Sequence, residues 1–171
     1  MNCEKYCQSA ATILAKAKSL LEKLNPVVIL AARLWVAKIF WDSAVLKLPS
    51  GFLWVGQGNW QSTIYLFEYE HPVPLLSAPI AAFLGTAVEF LGAISLALGL
   101  GARFFAVALL FMTGVIEFTY QSHSDHIVWA LFLMLVLTQG AGRFSLDHIL
   151  KIRCPGCDTQ IIGYKRKSAK S

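Results

Sequence analysis

Four stretches dominated by apolar side chains, Val27–Leu48, Leu75–Leu100, Ala102–Tyr120 and Ile127–Arg143, constrain this chain more than any other feature. A helix that crosses a bilayer needs about 20 mainly apolar residues, because the hydrocarbon core is roughly 30 Å thick and each residue rises about 1.5 Å. The four stretches meet or approach that length, so the spacing predicts an all-α protein, an integral membrane four-helix bundle. Composition agrees: 56% of residues are hydrophobic and 15% charged, with a mean hydropathy of +0.57, whereas soluble domains carry about 25% charged residues. With 171 residues the chain has room for one domain. Its 4 cysteines, confined to the two ends, are too few for a secreted disulfide scaffold.

Three segments follow. Residues 1–26 form an amphipathic cytoplasmic N-terminal segment: Ile13, Leu14, Ala17, Leu20, Leu21 and Leu24 share one helical face while Lys16 and Lys23 lie off it. Such a helix either lies on the membrane surface or packs in the cytosol, and Asn25-Pro26 is expected to break it. Residues 27–150 hold the spans, and 151–171 form a cysteine-containing basic tail. No apolar core with a small-residue cleavage site precedes the first span, so a signal peptide is not expected. Gly99-Leu100-Gly101 forces a tight hairpin between the second and third spans, and Gly140-Ala141-Gly142 stops the fourth ahead of a short helix capped by Ser145 or Asp147. The long connection from Pro49 to Pro74, rich in Trp, Tyr and Phe, is expected to lie against the bilayer or to plug the outer end of the bundle.

Basic residues set the orientation. Lys5, Lys16, Lys18 and Lys23 precede span one, Arg103 sits at the hairpin, and Arg143, Lys151, Arg153, Lys165, Arg166, Lys167 and Lys170 follow span four. The other side holds little beyond Lys47. By the positive-inside rule both termini are cytoplasmic, in a multi-pass protein of the cell inner (plasma) membrane. The net charge of +5 thus points to anionic lipid headgroups and not to nucleic acid.

Charges inside spans cost about 2.5–3.5 kcal/mol each at mid-membrane, so each needs a partner or a role. Counted from the cytoplasmic ends, Arg33 and Glu89 reach similar depths, and an Arg33–Glu89 pair is expected, either fixing helix register or forming a polar centre for an anionic or quinone-like headgroup. Lys38 and Asp42, one turn apart on span one, are expected to converge with Glu117, His123, Asp125 and His126 toward the outer face. That cluster has the donors for a transition metal or a proton relay, although a solvated turn capped by Asp125 explains the histidines equally well. Arg103 and Asp147 are expected to pair and fasten the hairpin to the last helix. Trp35, Phe40, Trp41, Phe104, Phe105 and Phe111 form either a quinone slot or ordinary packing and lipid contacts.

Cys3 and Cys7 are spaced C-x-x-x-C, and Cys154 and Cys157 bracket Pro-Gly. With both tails on one side, four thiolates suit zinc, copper or iron; alternatively they exchange as a redox dithiol or are reduced thiols without a role. No phosphate-binding glycine loop, nucleophile elbow, H-E-x-x-H or haem-attachment motif occurs.

Arg33-Leu-Trp-Val-Ala-Lys-Ile-Phe40 with Lys47-Leu48, then Glu89-Phe-Leu-Gly92 and Gly99-Leu-Gly-Ala-Arg103-Phe-Phe-Ala106, then Gly140-Ala-Gly-Arg-Phe-Ser145-Leu-Asp147, resemble the DoxX family of small four-helix membrane proteins. Phe67-Glu-Tyr-Glu-His-Pro-Val-Pro-Leu-Leu76 resembles one subgroup of it. The resemblance covers roughly Val27 to Leu150. Ser43-Ala44 depart from it, standing where many relatives have a small Gly, and the cysteine-bearing ends lie outside it. It implies an accessory component of a quinone- or thiol-linked membrane redox process, with membrane lipid, a redox partner protein or a second copy as partners. The alternative is a non-catalytic assembly or metal-handling partner. A transporter is disfavoured by the small number of helices and the lack of an inverted repeat.

Overall fold

The computed structural model describes residues 3–70, 73, 75–119 and 124–153. Helix α1 runs from Cys3 to Lys47 without interruption. The break expected at Asn25-Pro26 is therefore absent. Pro26 leaves the carbonyl of Glu22 without its helical partner and costs about 3 kcal/mol in a helix interior, yet the good helix formers on both sides carry the helix through. Asn25 Nδ2 also donates to Gln139 Oε1 at 3.3 Å, tying this point to the end of a later helix.

After α1 the chain folds back over the helix end. The amide of Gln57 donates to Val45 O at 2.9 Å and that of Gly58 to Leu48 O at 2.8 Å, and the Thr63 hydroxyl donates to Lys47 O at 2.7 Å. These donors satisfy carbonyls that the helix end leaves orphaned. Gly58 is required here, since a Cβ would lie 2.0 Å from Leu46 O. The aromatic connection thus closes the end of α1. It continues through a 3₁₀ turn at Phe52–Trp54, helix α2 (Trp60–Tyr65) and a π-helical turn at Leu66–Glu70.

Helix α3 (Ala78–Leu98) and helix α4 (Ala102–Thr119) form the expected hairpin. Gly99 ends α3 in the left-handed region at φ 70, and a Cβ there would lie 2.5 Å from Arg33 Nη1, so backbone and packing both demand glycine. Helix α5 (Ser124–Gln139) stops where Gly140 turns to φ 81, four residues short of the predicted end at Arg143. Helix α6 (Leu146–Arg153) follows, and Ser145 Oγ accepts from the amide of His148 at 3.2 Å as its cap.

Helix α1 packs against α3 and α5, and α4 packs against the same two, so these helices form a closed ring of neighbours. The core they enclose holds Val36, Ala37 and Phe40 of α1, Ala93 and Leu96 of α3, Ala102, Ala106 and Leu109 of α4, and Leu133 and Val136 of α5. Outside, Leu91, Phe104, Phe111, Phe118 and Leu131 are exposed. So continuous an apolar exterior is foreign to water-soluble monomers. The stretch Ala11–Lys47 and helix α3 are long and apolar enough to cross a membrane; α5 is shorter and apolar.

Candidate functional site

Arg33 and Glu89 do not meet. Arg33, 1% exposed, donates through Nη1 to Ala141 O, through Nη2 to Phe144 O at 2.7 Å and, more distantly, to Ala97 O at 3.5 Å. These acceptors end α3 and shape the turn after α5, where helix carbonyls present partial negative charge. Counting depth from Pro26 placed Arg33 too far along. It lies level with Gly99, and Glu89 is ten residues, about 15 Å, farther along α3.

Glu89 instead pairs with Lys47, fourteen residues and about 21 Å beyond Arg33 on α1. Lys47 Nζ donates to both carboxylate oxygens of Glu89, at 2.6 and 2.7 Å, and to Ser43 Oγ at 2.9 Å. The Glu89 side chain is 4% exposed and that of Lys47 16%. The antiparallel α1–α3 contact, set in register at Gly99, brings these two turns together. Lys47 was visible in the sequence as the basic residue on its side and as part of a family motif, without a partner assigned to it, and Ser43 only as a departure from a family pattern.

Beside this pair opens a cleft of about 470 Å³ lined by Leu48, Pro49, Phe52, Trp60, Phe83, Thr86, Ala87, Phe90 and Leu91. Thr86 is 2% exposed and its hydroxyl has no hydrogen-bond partner among the described residues. It sits one helical turn before Glu89. Phe90 forms an edge contact with Phe52 at 6.3 Å and stacks on Trp41 at 5.4 Å, which stiffens the cleft's rear wall. The six aromatics named from the sequence do not gather: Trp35 contacts Phe132, Phe40 contacts Trp129, Phe104 contacts Phe105, and Phe111 is exposed. They lie on different faces of their helices, so helical periodicity disperses them.

The outer charges also separate. Lys38 and Asp42 form an ion pair with each other on the outside of α1, their side chains 74% and 55% exposed. Glu117 and His126 pair across α4 and α5, with His126 Nδ1 at 2.8 Å from a Glu117 oxygen and the His126 ring edge-on to Trp129. Among the described residues Lys38 and Asp42 therefore stand apart from Glu117 and His126, because the α1 turn bearing Lys38 faces solvent or lipid and not α4 and α5. His123 lies outside the described residues. Among the described residues no group of three or more His, Cys, Asp or Glu side chains is placed to hold a metal. Cys3 and Cys7 fall in the first turns of α1, and Cys154 and Cys157 lie outside the described residues.

Arg103 and Asp147 line a polar cleft of about 570 Å³ with Asn25, Gln139 and Arg143. No ion pair joins them. Asp147 accepts from the amide of Gly101 with both oxygens, at 3.0 and 3.1 Å, and its own amide donates to Gly99 O at 3.1 Å. Arg103 reaches Thr138 O at 3.5 Å. Asp147 does fasten the hairpin to the last helix, but through main chain, because the amides that open α4 lie nearer than the guanidinium and lack helical acceptors.

The DoxX family profile matches residues 28–122, more than half of the chain. The chain belongs to the DoxX family. The DoxX match contains Arg33, Lys47, Thr86, Glu89 and Glu117, and stops before α5, so the buried Lys47–Glu89 pair lies wholly within it while two of the Arg33 acceptors lie beyond it. The chain is similar to an uncharacterized protein of Haemophilus influenzae, 27% identical over 135 residues, covering 73% of this chain and 84% of the relative. No solved structure matches it.

Proposed function

We propose that this DoxX protein spans the inner membrane four times with both termini cytoplasmic, and serves as an accessory component of a membrane redox process by holding a quinone-like molecule in the cleft beside Lys47 and Glu89. Support for four spans comes from α4 and α5, whose exposed faces are apolar and whose 18 and 16 residues extend about 27 and 24 Å. A bilayer accommodates such short spans by local thinning. The orientation rests on the basic residues that flank α1, the α3–α4 hairpin and α6 at one end.

The observation that carries the ligand reading is an apolar aromatic cleft whose wall contains a buried hydroxyl without a partner. A quinone ring needs flat apolar walls and a hydrogen bond to a ring oxygen. Phe83, Phe90 and Trp60 supply the first. Thr86 supplies the second after one rotamer change, since threonine in a helix divides between two rotamers. Reduction of a bound quinone to the quinol takes two electrons, from the oxidoreductase that this component would assist, and two protons; Glu89, one turn from Thr86, is able to hold one of those protons at Oε1 or Oε2.

The test is a titration of purified protein in nanodiscs with a short-chain quinone, read as quenching of Trp fluorescence. Saturable quenching is expected, weakened at least tenfold by Ala87→Phe, which fills the cleft. Linear, unsaturable quenching that Ala87→Phe leaves unchanged would remove the ligand from the proposal. The reading left would be the non-catalytic assembly partner, which the donation of both Arg33 Nη groups to main-chain carbonyls favours.

A further inference from the structure

The end of the bundle opposite the Lys47–Glu89 pair holds the polar cleft of about 570 Å³, which the functional reading leaves unused. Glu22, Asn25 and Pro26 of α1 form one wall, Arg103 and Phe104 at the start of α4 another, and Gln139 with the turn 140–143 a third. Arg103 lies against that turn, since a Cβ on Gly140 would sit 3.1 Å from its Nη2. Among the described residues its guanidinium makes one hydrogen bond, the long 3.5 Å contact from Nη2 to Thr138 O, which leaves Nε and Nη1 unspent. Arg143 is exposed, and its guanidinium forms no hydrogen bond or ion pair among the described residues.

The carboxylates of the cleft do not neutralise these two guanidiniums. Asp147 turns both oxygens to the Gly101 amide, and Glu22 is exposed on α1. Arg33 donates to Ala141 O in the same turn, so three guanidiniums gather with two carboxylates and one positive charge is left over. Arginine N–H groups in that state fit a phosphate, whose oxygens accept paired hydrogen bonds from the guanidinium fork. Gln139 adds a neutral donor: its Oε1 accepts from Asn25 Nδ2 at 3.3 Å, and its own Nε2 stays available.

From the cleft an apolar stripe continues along α4. Phe104, Val107 and Phe111 are 72%, 50% and 74% exposed and recur at three and four residues, on one face of the helix. Free phosphate makes no use of such a stripe, whereas the acyl chains of a lipid run along it. We propose that the cleft binds the headgroup of an anionic phospholipid, with Arg103 and Arg143 on the phosphodiester and the acyl chains against Phe104, Val107 and Phe111. Basic pockets between spans at the membrane surface suit such headgroups. The positive charge left over in the cleft matches the single negative charge of phosphatidylglycerol. It discriminates against phosphatidylcholine, whose headgroup brings a cation of its own. The proposal takes from the functional reading only that α4 crosses the membrane with this end at its surface.

Lipid titration of the full-length chain in an uncharged detergent tests it, with bound lipid counted by native mass spectrometry. Phosphatidylglycerol is expected to saturate at one molecule per chain and to bind at least tenfold more tightly than phosphatidylcholine of the same chain length. Inorganic phosphate should displace it only at a hundredfold excess or more. Arg103→Gln should weaken phosphatidylglycerol binding at least tenfold and Arg143→Gln at least threefold, while Lys16→Gln, on α1 outside the cleft, leaves it unchanged. Arg143 holds no other group in place, so its variant decides even where Arg103→Gln fails to fold. Equal binding of the two lipids, or binding that neither arginine variant weakens, overturns the site. Displacement by inorganic phosphate at equal concentration overturns the lipid as its ligand. Ala87→Phe, in the cleft at the other end, should leave this binding unaltered, so that failure here and failure of the quinone reading are told apart.

Discussion

Lys47 and Glu89 illustrate how a membrane helix can retain a full charge. Each satisfies the other, and Ser43 Oγ accepts a further hydrogen bond from the lysine, so neither ion faces hydrocarbon alone. Removing one partner strands the other, a loss of about 3–5 kcal/mol for buried pairs, whereas replacing both with apolar groups is often neutral. Lys47→Met alone should therefore lower the melting temperature of the detergent-solubilised protein sharply, and Lys47→Met with Glu89→Leu should recover most of it, followed by circular dichroism. Equal losses in the single and double variants would show that the pair does more than satisfy itself. That Arg33, Lys38, Asp42, Glu89 and Glu117 were the charges to explain was legible in the sequence. Their partners were not, since partnership depends on which turn of α1 lies level with which turn of α3. Taking Pro26 as the membrane boundary shifted that register by several residues and paired Glu89 with the wrong cation.

At the scale of elements, the apolar runs and the glycine hairpin were legible because the bilayer length and the Gly99 turn are local signals. Helix ends moved for local reasons as well: α5 stops at Gly140, and Leu75, placed in the second span, takes φ 72 ahead of α3. The cap over α1 was less legible, because Gly58 is demanded by Leu46 O, a contact that only the folded chain creates. Continuity of α1 through Pro26 carries a further prediction. Pro26→Ala restores an amide to the Glu22 carbonyl and removes the ring clash, so it should raise the melting temperature, by up to about 3 kcal/mol in free energy. An unchanged melting curve would mean that residues before Pro26 behave as a separate helix in the membrane.

For the whole molecule, the exterior is apolar and the ionic groups are gathered at the two ends and in isolated pairs, an arrangement that a membrane selects and water does not. The direction of insertion is measurable. With the chain expressed in intact cells, a membrane-impermeant maleimide should label Ser50→Cys in the loop over α1, and should reach the native cysteines at the two ends only after the inner membrane is permeabilised. Labelling of the native cysteines in intact cells would invert the orientation. The expected direction rests on the basic residues, which are unevenly shared among short loops. How the two halves of the ring close on each other was beyond its reach.

That closure has a consequence in time. The carbonyls of Ala141 and Phe144 that take up the Arg33 guanidinium are 108 and 111 residues downstream. At roughly 5–20 residues per second of synthesis, about 5–20 seconds separate the appearance of the guanidinium from that of its main acceptors. The first helix is therefore made before it can be completed, and it must be sheltered by the insertion machinery or by lipid phosphates until the last helix arrives. A ribosome that stops short of Ala141 leaves behind a chain with an arginine it cannot satisfy, so the fold checks its own completeness at birth.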